Sequence, residues 1–229
     1  TFDTTVNMIG HMLVGAEVYL SSGLRYIQKE LKAEQPEHLI LVPLYLETFY
    51  RKICANVKET GKETILSYMM KVSNGLRHVK LDLRGKLFNS ILSVFGGKLK
   101  LVICGGAPMN SEIAHAYESW GITVLNGYGI TECSPLVAVN SSSKHKVGSV
   151  GKAALGSSVK IIVDNNYGVI YDAETEEIGE ICVKGPNVML GYYKNPEATN
   201  EVLKDGWLWT GDMARMDEEG FIYLVDRKK

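Results

Sequence analysis

The stretch from Leu99 to Leu125 constrains the fold more than any other part of the chain. Leu99-Lys100-Leu101-Val102-Ile103-Cys104 is a short apolar run of the kind that forms a buried strand, and it ends in the turn Gly105-Gly106-Ala107-Pro108. Asn110 then stands where a helix needs an N-cap. Glu112 suits the positive start of that helix, and Ile113, Ala116, Tyr117 and Trp120 share one apolar face. Gly121 ends the helix and Ile122–Leu125 is the next strand. Strand, helix and strand at this spacing predict a βαβ unit with a parallel pair.

The same alternation extends upstream. Glu17–Leu20 is a short strand candidate, Leu24, Ile27 and Leu31 recur at helical spacing, and the apolar run His38–Val42 is stopped by Pro43. Amphipathic helices are expected from Leu44 to about Val57, over Glu63–Asn74 and over Arg84–Val94. After Ser141 the texture changes. The polar stretch SSSKHK is a linker candidate, followed by the strand candidates Val159–Val163, Val169–Tyr171, Glu180–Lys184, Asp212–Met216 and Phe221–Val225. Asp164-Asn165-Asn166 and Asp217-Glu218-Glu219-Gly220 supply turns between them. The expectation is an α/β chain: a parallel-sheet α/β subdomain over residues 1–146, then a small β-barrel-like subdomain over 147–229.

Composition narrows the function. The chain has 229 residues, enough to bury a real core, and 25 Lys and Arg balance 26 Asp and Glu for a net charge of -1. Without a basic block, a nucleic-acid surface or polybasic membrane patch is not expected. The run from Val6 to Leu20 is broken by His11 and Glu17 and is too short to span a bilayer. Cys54, Cys104, Cys133 and Cys182 lie at least 29 positions apart with no CxxC, so they read as reduced, packed thiols of a cytoplasmic protein.

In a right-handed βαβ unit the loops leaving both strands lie on one sheet edge. Those loops are GGAP after Cys104 and Asn126-Gly127-Tyr128-Gly129-Ile130-Thr131-Glu132 after Leu125. Two glycine-rich loops at the carboxyl ends of parallel strands form a crevice suited to a nucleotide, although tight turns alone would explain either one. The second loop offers more. Gly127 and Gly129 bracket the ring of Tyr128, Asn126 offers an amide, Thr131 a hydroxyl and Glu132 a hard oxygen ligand for Mg²⁺. Core packing would account for Tyr128 alone and a solvated loop charge for Glu132 alone, but neither accounts for the set. No GxxxxGK[ST], GxGxxG or GxSxG occurs, and the five histidines are scattered.

These residues, in this order, resemble the adenylate-forming (AMP-binding) acyl-CoA synthetase superfamily, and within it the long-chain fatty acid–CoA ligases. GGAPMN resembles the family's adenine-side turn and NGYGITECSP its nucleotide and magnesium motif. GEICVKGPNVMLGYYKNPEATNEVLKDGWLWT is similar to the stretch leading into the family's TGD motif, and GFIYLVDRKK to its ribose-binding arginine and hinge. The likeness is strong from Lys98 to Lys229 and weaker before.

The resemblance implies ATP, Mg²⁺ and CoA as reactants, and a fatty acid or other carboxylic acid as substrate. It implies that Gly105, Gly106 and Ala107 line the adenine pocket, with Gly127 and Gly129 flanking Tyr128 as it stacks on the base and Asn126 near the amino group. Thr131 would touch the α-phosphate and Glu132 hold Mg²⁺. Asp212 would bind both ribose hydroxyls, Arg227 reach the same ribose, and Lys229 fall at the hinge. On composition alone Asp212 is a turn aspartate and Arg227 a surface cation. Both ends look cut: the family's phosphate loop with its lysine is expected before Thr1, and its small C-terminal domain after Lys229. The chain alone is therefore expected to be incomplete for catalysis. An aryl or amino-acid adenylating enzyme stays open, as does a non-catalytic nucleotide-binding module. Peripheral membrane contact of a longer parent is also left open.

Overall fold

The computed structural model describes residues 9–23, 25–79, 81–107, 109–164 and 170–227, and only the backbone of His78. Leu24, Pro108, Asn165, Asn166, Val169, Lys229 and the start of the Val6–Leu20 run lie outside the described residues. The chain forms two compact units, Gly10–Leu125 and the part from Asn126 onward, which Ile9 joins.

In the first unit β1 (His38–Leu41) pairs in parallel with β2 (Leu101–Cys104), His38 opposite Leu101 and Leu41 opposite Cys104. Beside β2 begins β3 (Thr123–Gly129), where the Thr123 amide donates to Lys100 O at 2.8 Å. Helices Ile27–Glu34, Pro43–Glu59, Glu63–His78 and Ser111–Trp120 fall where the apolar spacing places them. The local signals act as expected. Asn110 accepts from the amides of Glu112 at 2.9 Å and Ile113 at 3.3 Å, and Gly121 closes the helix at φ 101°. Pro43 opens its helix at a position whose N–H has no partner to lose. The core is aromatic: Phe49 meets Phe95 edge-on at 5.3 Å, Tyr117 meets Trp120 at 5.2 Å, and the buried Tyr117 hydroxyl donates to Leu46 O at 2.9 Å.

Two elements differ from expectation. Arg84–Val94 is not one helix but the turns Arg84–Leu87 and Asn89–Leu92 and a 3₁₀ turn, Ser93–Phe95. Phe88 sits at the break with φ -109° and is 1% exposed, so burying its ring takes precedence over continuing the helix. Glu17–Leu20 pairs with no described strand and leaves Tyr19 and Leu20 exposed; β-branched and aromatic residues favour a strand only where a ladder partner exists.

In the second unit the end of β3 pairs antiparallel with β4 (Leu136–Val139), and β4 with β5 (Lys152–Ala153). A separate antiparallel sheet contains β6 (Ser158–Asp164), β7 (Ile170–Asp172), β8 (Gly179–Lys184), β9 (Leu203–Lys204), β10 (Trp207–Met216) and β11 (Ile222–Arg227). Its order is β11-β10-β8-β6-β7, with β9 on β10. The α/β part followed by a curled antiparallel sheet agrees with the fold class read from sequence. Tyr128, Cys133, Val137, Ile161, Ile181, Leu208 and Ile222 form the buried core of this unit.

The described parts of the expected strands coincide with β6, β7, β8, β10 and β11, except that Phe221 precedes β11 and β10 begins five residues before Asp212. The turn before β11 is built on Asp217, whose Oδ1 accepts from the amides of Glu219 and Phe221 at 3.0 and 2.9 Å. The SSSKHK stretch lies inside this unit. Lys146 reaches Asp217 at 2.6 Å and Glu219 at 2.8 Å, and Lys144 reaches Glu219 at 2.7 Å. None of the four cysteines forms a disulfide. Among the described residues no helix is long and apolar enough to cross a membrane.

Candidate functional site

The second unit gathers most of the residues that the sequence singles out. β3 must turn tightly onto β4 to present Tyr128, and the glycines around it permit that. A Cβ on Gly129 would lie 2.2 Å from Pro135 O, so only glycine allows this approach. Tyr128 is 8% exposed and belongs to the hydrophobic core of the unit. Its ring therefore packs as the plain structural reading holds, and the face it offers a base is confined to its remaining exposed edge. Its hydroxyl donates to Asp212 Oδ2 at 2.5 Å. Burial raises the Tyr128 phenol above its ordinary value, and the hydrogen bond to Asp212 raises it further, so it remains a neutral donor.

Asp212 is aimed by an irregularity in the sheet. Trp209 pairs with Cys182 and Met213 with Glu180, so Thr210, Gly211 and Asp212 together face Ile181 alone. The bulge satisfies its own polar groups. Thr210 Oγ1 donates to Ile181 O at 2.9 Å, the Gly211 amide donates to Glu180 Oε1 at 2.9 Å, and the Asp212 amide donates to Thr210 Oγ1 at 3.2 Å. Gly211 has φ 76°, a conformation that explains glycine at this point. Arg227, opposite Asp212 in the β10–β11 ladder, places Nε 3.3 Å from Asp212 Oδ1. The Arg227 side chain is 79% exposed and that of Asp212 16%, so this ion pair is weak and its arginine free to re-aim.

Asn126 is anchored through its carbonyl, which accepts from the Asn140 amide at 3.1 Å and from Asn140 Nδ2 at 3.2 Å. Its own Oδ1 is buried with no hydrogen-bond partner among the described residues. A buried acceptor left unpaired is costly, and an added donor there would offset that cost.

Thr131 and Glu132 stand on a 3₁₀ turn, Thr131–Cys133, after β3. Thr131 is exposed and Glu132 half-buried. Glu132 Oε1 accepts from the Tyr192 hydroxyl at 2.9 Å, and Glu132 O accepts from the Met189 amide at 2.7 Å. Among the described residues no group of three or more His, Cys, Asp or Glu could hold a metal ion. Mg²⁺ is commonly held by one or two carboxylates and completed by water and substrate phosphates, and Glu132 offers one such carboxylate. Gly105, Gly106 and Ala107 stand in the other unit, directly after β2; Gly105 is buried, and Gly106 has φ 84°.

The arrangement also fits a nucleoside. A carboxylate has about four lone-pair sites, and Tyr128 and Arg227 engage one site on each oxygen of Asp212, leaving one on each for a pair of hydroxyls. Asn126 Oδ1 suits an exocyclic amino group. Sequence reasoning missed Glu180, Thr210 and Tyr192. A carboxylate inside the otherwise apolar Gly179–Val183 run signals Glu180, and Asn195-Pro196 signals the short helix that fixes Tyr192.

Comparison with known proteins adds three findings. A family model described as AMP-binding enzyme matches residues 1–193. A long-chain-fatty-acid–CoA ligase of Yersinia pestis is 44% identical over 151 residues, covering 62% of this chain and 26% of that protein. Long-chain-fatty-acid–CoA ligase 5 of Rattus norvegicus is 35% identical over 221 residues, covering 92% of this chain and 32% of the relative. The chain thus spans about a quarter to a third of the length of these curated relatives. Among solved structures, the anthranilate CoA ligase AuaEII in complex with anthranoyl-AMP superimposes with a TM-score of 0.70. It covers 99% of this chain and 37% of that one at 20% identity, a likeness of fold.

Proposed function

The chain belongs to the AMP-binding enzyme family, and from that premise we propose that it carries the adenosine-binding half of an ATP-dependent acid–thiol ligase. In the parent reaction a carboxylate oxygen attacks the α-phosphorus of ATP, the bond to pyrophosphate breaks, and an acyl-adenylate forms. The thiol of CoA then attacks the acyl carbon, and AMP leaves. Positioning and charge stabilisation carry most of such a reaction, because two anions must be held in line.

Each residue has a defined part in this reading. Asn126 accepts from the adenine amino group, beside Gly127, Tyr128 and Gly129; Gly105, Gly106 and Ala107 line the base pocket. Asp212 accepts from both ribose hydroxyls while Tyr128 holds its carboxylate, and Arg227 reaches the same sugar. Thr131 donates to the α-phosphate. Glu132 is the carboxylate for Mg²⁺, which when bound neutralises phosphate charge.

One observation carries the reading: the Tyr128–Asp212 hydrogen bond joins residues 84 positions apart and aims a carboxylate that the bulge alone would leave free to rotate. A long-chain fatty acid is the favoured acid, supported by the names of relatives at 35 and 44% identity. The runner-up is an aryl or amino acid. A non-catalytic nucleotide module is disfavoured because it has no need of Tyr128, Thr131, Glu132, Asp212 and Arg227 together. Four free thiols are in keeping with a reducing compartment such as the cytoplasm. We hold the chain by itself to be incomplete for catalysis, in keeping with the share of its relatives that it spans.

The test is acid-dependent exchange of pyrophosphate into ATP by the full-length parent, over a panel of long-chain, aryl and amino acids. Exchange dependent on long-chain acids and lost in Glu132→Ala is expected. Exchange with aryl acids alone would overturn the substrate, and unchanged exchange in Glu132→Ala would overturn the metal assignment.

A further inference from the structure

Tyr192 has no role in the reaction as proposed above, yet its hydroxyl donates to Glu132 Oε1 at 2.9 Å across 60 residues of sequence. We propose that Tyr192 is a positioning residue for Glu132, fixing Oε1 so that Oε2 is presented to a divalent cation. This deepens the proposed function and rests on its assignment of Glu132.

Three features support it. First, the donor is neutral. A lysine or arginine would fix the same oxygen but cancel the charge that a cation needs, whereas a phenol leaves the carboxylate at full charge.

Second, Glu132 is held at both ends, its carbonyl by the Met189 amide at 2.7 Å and its carboxylate by Tyr192. A glutamate free at all its side-chain torsions must lose that freedom when a metal binds; here much of it is already lost.

Third, Tyr192 is itself fixed. Its amide donates to Thr199 Oγ1 at 2.9 Å, and Thr199 Oγ1 donates to Asn195 O at 2.8 Å within the capped helix Pro196–Val202. Gly191, at φ 150°, brings the chain so close that a Cβ there would stand 2.9 Å from Thr199 Cγ2. The Pro196–Val202 helix therefore orients Thr199, Thr199 orients Tyr192, and Tyr192 orients Glu132. Partners of this kind behind a metal ligand commonly change affinity by about 10- to 100-fold.

The experiment uses Mn²⁺ with ATP as the probe, read by the enhancement of water-proton relaxation over that of Mn²⁺–ATP without protein, on the unchanged chain and on Tyr192→Phe, Thr199→Val and Glu132→Gln. Metal-free AMP binding serves as the control. Tyr192→Phe is expected to weaken Mn²⁺ uptake about tenfold with AMP affinity unchanged, Thr199→Val to weaken it less, and Glu132→Gln to abolish it. Full Mn²⁺ uptake by Tyr192→Phe, with uptake lost in Glu132→Gln, overturns the role of Tyr192 and spares that of Glu132. Uptake retained in Glu132→Gln, or absent from the unchanged chain, overturns both. Loss of AMP binding in Tyr192→Phe would show a merely structural residue and also overturn the proposal.

Discussion

The two ends of the candidate site are built differently. At the end proposed for the ribose, Tyr128 is buried in the core, and a bulge whose polar groups are satisfied aims Asp212. At the end proposed for the phosphates, Thr131 is exposed and a half-buried carboxylate is held by Tyr192. The contrast follows from what each end would meet. Ribose hydroxyls are neutral and alike in every ribonucleotide, so a rigid, desolvated acceptor can read them by geometry. A triphosphate and its metal bring their own charge and water, so the protein supplies one oriented oxygen there and the ligand completes the shell.

If this contrast is right, substitutions at the buried end should cost stability as well as binding, and those at the exposed end only binding. Tyr128→Ala is expected to have the largest effect. It empties a core position and removes the donor to Asp212, and should cost about 3–5 kcal/mol in denaturant unfolding. Asp212→Ala comes next. It strands the buried Tyr128 hydroxyl, a penalty of about 1–3 kcal/mol, and should weaken AMP binding by roughly a hundredfold. Arg227→Ala should change stability by less than about 1 kcal/mol, because its partner of 3.3 Å is reached from an exposed position. Its effect should appear as a few-fold loss of AMP affinity that salt screens. A large stability loss in Arg227→Ala would break the comparison at its exposed member.

The smallest effect is expected away from the site, at the Asp217 turn. Burial pushes the Asp217 carboxyl up, but the Lys146 ammonium and the amides of Phe221 and Glu219 outweigh it and hold it at about 2. A depressed carboxylate contributes stability above its unfolded value of about 3.9, and that contribution is lost as pH falls towards 2. Lys146→Met should therefore lower stability slightly at neutral pH, a loss that shrinks as pH falls towards 2, and leave nucleotide binding nearly unchanged.

What could be read in the sequence was what local chemistry decides. Asn110 and Gly121 bound their helix because capping needs only neighbours a few residues away. The Asn126–Glu132 run was singled out from the types of group it offers, and Asp212 only through the family resemblance. What could not be read depends on register. That Thr210, Gly211 and Asp212 bulge opposite Ile181 follows from how β10 pairs with β8, some 30 residues earlier. The bond from Tyr192 to Glu132 likewise requires the Pro196–Val202 helix to bring the chain back. Phe88 shows the reverse case, a good local helix pattern broken because one ring packs better inside.

The central claim is that the adenosine half of the site is formed within this chain. The most direct test is a calorimetric titration of the chain with a non-hydrolysable acyl-adenylate, repeated on Asp212→Asn and on Tyr128→Phe, which keeps the ring and loses the donor. The account predicts saturable binding by the unchanged chain, weakened about tenfold or more in each variant. Equal binding by all three proteins, or none by the unchanged chain, would contradict it.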